Sequence, residues 1–178
     1  GFEIVRQLVA AGKQVHILDL QAPPEPLCEV RIGDIRDRYD VVTACSDADV
    51  VFQTAATVWD RKTPAALYHE VNVQGNRLVI EVCRELGIQR LVYTSTIDVV
   101  VDGRRPIVDG DESLPYPARP PRDPYSRSKI EAEQLVRRGD PLIECEDPEL
   151  VAQVQVLEAR LVELEASNRA YFTTNRLH

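Results

Sequence analysis

The sequence has no methionine among its 178 residues and begins at Gly1. A reading frame opens on Met, so the expectation is that residues upstream of Gly1 have been lost. Basic residues are also scarce: 21 Lys and Arg stand against 29 Asp and Glu, for a net charge of −8. That disfavours a nucleic-acid partner, which needs a basic face to displace counterions from phosphates. No apolar run approaches the roughly 18 residues of a membrane span, and no basic segment leads into an apolar one as in a secretory signal. Cys28, Cys45, Cys83 and Cys145 form no C-x-x-C pair and have no histidine at zinc-ligand spacing, so no metal site is expected. They read as free thiols in a reducing cytoplasm. What remains is 44% hydrophobic and 28% charged, an ordinary composition for one globular domain with a sizeable core.

Apolar positions at Phe2, Val5, Leu8 and Val9 have helical spacing, and Gly12 supplies the stop. QVHILDL is short, β-branched and bounded by a turn, which reads as a buried parallel strand. Pro23, Pro24 and Pro26 keep the next stretch as loop. CEVRIGDI and DADVVFQTAA read as a second and third strand around a helix at residues 39–46. Residues 68–86 read as a long helix ended by Gly87, and RLVYTST as a fourth strand. Strands alternating with helices predict a doubly wound α/β sheet. Residues 102–124, with six prolines and two glycines, predict a long loop. A helix resumes near Tyr125 and runs to about Arg138. Beyond it, residues 139–149 are acidic and Pro-bearing, like a linker. In residues 150–178, Leu150, Val154, Leu157, Leu161, Leu164, Asn168 and Tyr171 alternate at four- and three-residue steps. That seam either pairs chains as a coiled coil, with Asn168 fixing register, or folds back as an amphipathic helix.

Three signals carry chemistry. A helix from Phe2 followed by a strand ending in Asp19 is half of a dinucleotide-binding βαβ unit, in which a Gly-rich turn brings pyrophosphate to the helix N-terminus. Gly1 stands where the third glycine belongs, and Asp19 where an acid meets the ribose hydroxyls. An acid there repels a 2′-phosphate and favours NAD over NADP. The first strand and the other two glycines are not in the sequence. Next, Tyr125 and Lys129 lie four apart on a helix and so share a face. A phenol is a poor base at neutral pH, and a neighbouring cation lowers its pKa enough to take a proton from an alcohol. Last, Thr94, Ser95 and Thr96 end the fourth strand, where hydroxyls face the ligand crevice of a parallel sheet and can hydrogen-bond a substrate oxygen.

Together, GFEIVRQLVAAG, VHILDL, GDIRD, VVFQTAA, HEVNVQGNRLVIEVC, RLVYTSTIDVV and DPYSRSKIEAEQLV resemble the extended short-chain dehydrogenases, and among them the 3β-hydroxysteroid dehydrogenase/isomerase-like group. The likeness covers most of residues 1–138. It implies a Rossmann domain that binds NAD, here truncated by its missing first strand. It implies that Asp34 and Ile35 border the adenine and that Ala55 and Ala56 line the cofactor crevice. It places Asn72 in the active-site helix, Thr96 as the catalytic hydroxyl, Tyr125 as acid/base, and Lys129 as partner of Tyr125 and of the nicotinamide ribose. Nucleotide-sugar epimerases and dehydratases of the superfamily usually carry Tyr-Gly shortly after the hydroxyl pair. Here the run is Val99-Val100-Val101-Asp102, closer to the steroid branch.

The resulting expectation is an NAD-dependent oxidoreductase acting on a secondary alcohol or ketone of a sterol-like or other bulky apolar substrate. With one strand and most of the glycine cradle missing, the chain as it stands is expected to bind NAD weakly and to be inactive. The rival readings are an epimerase or dehydratase of the same superfamily, and a non-catalytic Rossmann remnant whose C-terminal helix forms a homo-oligomer.

Overall fold

The computed structural model describes residues 1–101, 107 and 114–138. The element order is α1 (Phe2–Ala10), β1 (His16–Asp19), β2 (Glu29–Ile32), α2 (Arg38–Cys45), β3 (Val50–Gln53), α3 (Ala65–Tyr68), a π-helical segment (His69–Gly75), α4 (Asn76–Glu85), β4 (Arg90–Tyr93), a short 3-10 turn (Ile97–Val99) and α5 (Pro124–Arg138). The alternation expected from the hydrophobic periods is present, with strands trimmed to four residues each. The linker at 139–149 and the seam at 150–171 lie outside the described residues, as does Cys145.

Local chemistry sets the boundaries. Gly12 and Gly87 take φ of +73° and +72°, the left-handed conformation that ends a helix without a Cβ penalty. The amides that follow close back on the helix, Lys13 N–H to Leu8 C=O and Ile88 N–H to Cys83 C=O. Asp37 caps α2, accepting from Tyr39 N–H at 2.8 Å and Asp40 N–H at 3.2 Å. At α5, Asp123 accepts from Ser126 N–H at 2.7 Å and Pro124 takes the first helical position, where its missing donor costs nothing.

The strands form two parallel pairs. β1 pairs with β2 from His16–Glu29 to Asp19–Ile32, and β3 with β4 from Val50–Arg90 to Gln53–Tyr93. No ladder joins the pairs, so among the described residues each strand is bonded along one edge only. They share a core instead. Val41 and Cys45 of α2, Val79, Ile80, Val82 and Cys83 of α4, and Leu91 of β4 form one buried cluster, against which Leu18 of β1 and Val51 of β3 pack. Cys28, Cys45 and Cys83 are free thiols. Among the described residues, no helix is long and apolar enough to cross a membrane.

Candidate active site

The carboxyl ends of β3 and β4 carry the site, and α5 lies across them. The cap at Asp123 puts Tyr125 in the first turn of α5 and Lys129 one turn on, with Lys129 directed at the end of β4. Lys129 is only 4% exposed. Its Nζ donates to Thr94 C=O at 2.7 Å and stands 4.4 Å from the centre of the Tyr93 ring. Burial pulls its pKa down to about 8, with the Glu133 carboxylate opposing the fall. An ammonium this desolvated transmits its field to a neighbouring phenol with little screening. Tyr125 is half-buried, and its ring meets that of Tyr68 edge-on at 6.2 Å.

Thr96 is half-buried two residues beyond the carbonyl that Lys129 grips. Its hydroxyl accepts from Asp98 N–H at 3.4 Å and donates to Asp98 Oδ2 at 3.2 Å, closing the 3-10 turn. Ser95 points elsewhere, donating to Glu133. The structure thus fixes Lys129 on the exit of β4 and packs α5 on the 3-10 turn that follows Thr96, while the Tyr125 ring of the same helix meets Tyr68. A cleft of about 640 Å3 opens beside them, lined by Asp98, Val101, Pro117 and Ser126 among others.

Asn72 is 2% exposed within the π-helical segment, a widened turn of the kind often found at functional sites. Its side-chain oxygen accepts from Thr57 N–H at 2.7 Å, while Nδ2 donates to Thr57 C=O at 3.1 Å and to Ser128 Oγ at 2.9 Å. Ser128 in turn donates to Tyr125 C=O at 2.7 Å. Asn72 thus ties the loop after β3 to the turn of α5 that carries Tyr125. Gly75 lets the helix lie on the loop after β2, since a Cβ there would stand 2.7 Å from Ile35 Cδ1. Asn76 adds a bond from Nδ2 to Ala132 C=O at 3.2 Å.

The residues expected to hold a dinucleotide are spread over the ends of the other strands. A Cβ on Gly1 would lie 2.9 Å from Thr54 Oγ1, so a glycine is what permits α1 to start this close to the end of β3. No side chain caps the first amides of α1, which leaves that terminus open to an anion. Asp19 ends β1 exposed, with Oδ1 accepting from Gln21 N–H at 3.1 Å. Asp34 is half-buried, and Arg36, bonded to it by both its guanidinium and its backbone N–H, holds its carboxyl below the usual range. The Ile35 side chain is spent on the core. Ala55 is exposed and Ala56 half-buried, on a turn shaped by buried Gln53, whose amide bonds both Ala55 N–H at 2.9 Å and Ala55 C=O at 3.4 Å. An uncapped helix terminus that starts on a glycine and an acid at the strand end fit part of a dinucleotide site.

Four contributors escaped the sequence reading: Gln53, Tyr68, Asp98 and Glu133. Only Glu133 had a signal available, since it lies four residues after Lys129 on the same helix face.

The 3-beta hydroxysteroid dehydrogenase/isomerase family model matches residues 1–143. The chain is 41% identical over 108 residues to a 3beta-hydroxysteroid-dehydrogenase/decarboxylase (isoform 2) of Arabidopsis thaliana, covering 61% of this chain and 19% of that protein. It is 35% identical over 146 residues to a 3-beta-hydroxysteroid dehydrogenase of Mycolicibacterium neoaurum, covering 76% of this chain and 39% of that protein. It therefore spans about a fifth to two-fifths of the length of these relatives. Among solved structures it resembles a short-chain dehydrogenase/reductase superfamily protein of Agrobacterium tumefaciens with bound NAD, at TM-score 0.69 and 26% identity, covering 77% of this chain and 40% of that one. With the Tyr125–Lys129 helix docked on a hydroxyl-bearing strand end, and with this match over most of its length, the chain belongs to the 3-beta hydroxysteroid dehydrogenase/isomerase family.

Proposed function

We propose that the whole protein is an NAD-dependent dehydrogenase that oxidises a secondary alcohol of a sterol-like substrate to the ketone, or runs the reverse. The observation that carries the reading is Lys129, a buried ammonium fixed on Thr94 C=O one helical turn from a phenol. Burying a cation is costly, and placing it beside Tyr125 gives that cost a use.

Bound NAD supplies the hydride acceptor. Gly1 and the first amides of α1 would hold its pyrophosphate, Asp19 the adenosine ribose, Asp34 and Ile35 the adenine, Ala55 and Ala56 the crevice wall, and Lys129 the nicotinamide ribose. In the oxidation, Tyr125 Oη takes the proton of the substrate hydroxyl as the hydride leaves its carbon. Lys129 lowers the phenol pKa through its charge. Thr96 turns its hydroxyl from Asp98 to the substrate oxygen and fixes its place. Asn72 acts as a positioning residue, holding the turn of Tyr125 through Ser128.

Two features support a bulky apolar substrate. Val58 and Trp59 are 68% and 56% exposed, although their loop is tied down at both ends. Asn72 holds Thr57, and the Tyr68 hydroxyl accepts from Asp60 N–H at 2.8 Å and donates to Asp60 C=O at 2.9 Å. The cleft near Asp98 adds proline and valine surface, set among the charged side chains of Arg119, Arg122 and Asp123. A cytoplasmic location accords with the free thiols. Pairing of chains through residues 150–171 rests on the heptad pattern alone, and sedimentation with and without residues 149–178 tests it.

Incubation of the whole protein with a 3β-hydroxysteroid and NAD should yield NADH and the 3-ketosteroid in equal amounts. Saturable NAD binding without turnover of any bulky secondary alcohol would overturn the reading.

A further inference from the structure

One carboxylate beside this site has no part in the proton transfer, yet it is the most heavily engaged acid near it. Glu133 follows Lys129 by one turn of α5, and its side chain is 12% exposed. It accepts from the Ser95 hydroxyl, from Tyr116 Oη at 2.9 Å and from Arg137 Nη2 at 2.9 Å. Ser95 sits between Thr94, whose carbonyl receives Lys129, and Thr96, the candidate hydroxyl. The exit of β4 is thus bound to α5 at consecutive residues, once by a cation and once by an anion. Tyr116 brings the loop before α5 to the same carboxylate, and the Arg137 guanidinium lies 5.5 Å from the centre of the Tyr116 ring.

We propose that Glu133 is a positioning residue for the acid–base pair: it anchors the β4 exit and the Tyr116 loop to α5 and supplies the counter-charge for the Lys129 ammonium. The proposal rests on the reading of Tyr125 and Lys129 given above. Lys129 is faced from β4 by the Tyr93 ring and Thr94 C=O, and along α5 by Tyr125 and Glu133. Of these groups Glu133 is the carboxylate. Glu133 is faced by Ser95 and Tyr93 from β4, by Tyr116 from the loop, and by Arg137 from α5. Burial, then Glu133, push the Tyr116 phenol up to about 12. It therefore stays a neutral donor to the carboxylate. The Glu133 carboxylate, one turn along α5, opposes the effect of burial on Lys129. A purely structural Glu133 would need its hydrogen bonds but not its charge.

The test exploits the small number of lysines, which are Lys13, Lys62 and Lys129. With isotope-labelled lysine side chains, NMR follows the titration of Lys129 without any need for turnover. Glu133→Gln should lower the Lys129 midpoint by about one pH unit and leave Lys13 and Lys62 where they were. Arg137→Gln, at a side chain 62% exposed and so safe for folding, removes a competing cation and should move the midpoint upward. In the whole protein, Glu133→Gln should lower kcat more than it changes KM and shift the alkaline limb of the pH–rate profile downward, with Glu133→Asp restoring most of both. A Lys129 midpoint that stays fixed in both Glu133→Gln and Arg137→Gln overturns the proposal. That result is separable from failure of the dehydrogenase reading, which would show as retained turnover in a Tyr125 variant whatever Lys129 does.

Discussion

Residues 1–34 contain not one buried residue, whereas every buried residue among those described lies between Ile35 and Ala132. The first region holds α1 and the β1–β2 pair, with Gly1 and Asp19, the residues expected to meet a dinucleotide. The second holds α2, α4, α5 and the β3–β4 pair, with Tyr125, Lys129 and Thr96. The apolar stripe of α1 is only half covered, and Leu20 and Ile32 are 65% and 60% exposed. In contrast, the π-helical segment and α4 are joined to α5 by packing and by polar clamps at Asn72 and Asn76. The candidate acid–base pair thus stands on the well-packed half, while the expected cofactor contacts divide between Gly1, Asp19 and Asp34 on the loosely packed half and Ile35, Ala55, Ala56 and Lys129 on the other. Positioning a reacting atom demands a rigid frame, while a dinucleotide can order a looser region by binding to it.

The largest effects should come from deleting volume in each half. Leu91→Ala, at a site 1% exposed, should cost about 2–5 kcal/mol. Leu8→Ala, half-buried on α1, should cost about 1 kcal/mol. Denaturant midpoints measure both, and equal losses would break the comparison. Amide exchange sharpens it: α1 and β1 should exchange through local opening, while the Val79–Cys83 amides should wait for global unfolding.

Next in size is Lys129→Met. The lysine pKa is about 8 in the fold against an ordinary value of 10.5, so the folded state holds fewer protons than the unfolded one between these values. Stability must therefore rise as pH climbs from about 8 to about 10.5. Lys129→Met should stabilise the fold by about 1–3 kcal/mol at pH 7, shrinking above pH 8, while abolishing turnover. Thermal melts across that range check it, and a destabilised variant at neutral pH would show that the ammonium contributes more through its bonds than it costs.

The smallest effect on stability belongs to Asp19→Ala, on the exposed end of β1. It should change folding by less than about 0.5 kcal/mol and yet remove the preference for NAD over NADP. Side-by-side kinetics with the two cofactors test this, and unchanged selectivity would take Asp19 out of the cofactor site.

The two halves also differ in how far they could be read from residues alone. Among the described residues the order of helices and strands was legible, because Gly12 and Gly87 end helices by backbone sterics and apolar periods mark faces. Tyr125, Lys129 and Thr96 were legible because a four-residue helical step and a strand end fix directions locally. The absence of Tyr-Gly after Thr96 pointed to the steroid branch, which the family match bears out. The clamps were not legible. Asn72 bonds Thr57 and Ser128 across gaps of 15 and 56 residues, and Glu133 reaches Ser95 across 38. Such pairings have no local period and exist only once α5 has docked. The π-helical widening at His69–Gly75 was likewise hidden inside an ordinary amphipathic pattern.

The most direct test of the central claim is the turnover of Tyr125→Phe in the whole protein, measured beside its binding of NADH. The ring and its edge contact with Tyr68 remain, and only the transferable proton is removed. Turnover should fall by about two to four orders of magnitude, with NADH binding and the melting temperature close to wild type. Near-normal turnover in Tyr125→Phe would contradict the assignment of the proton relay to this residue.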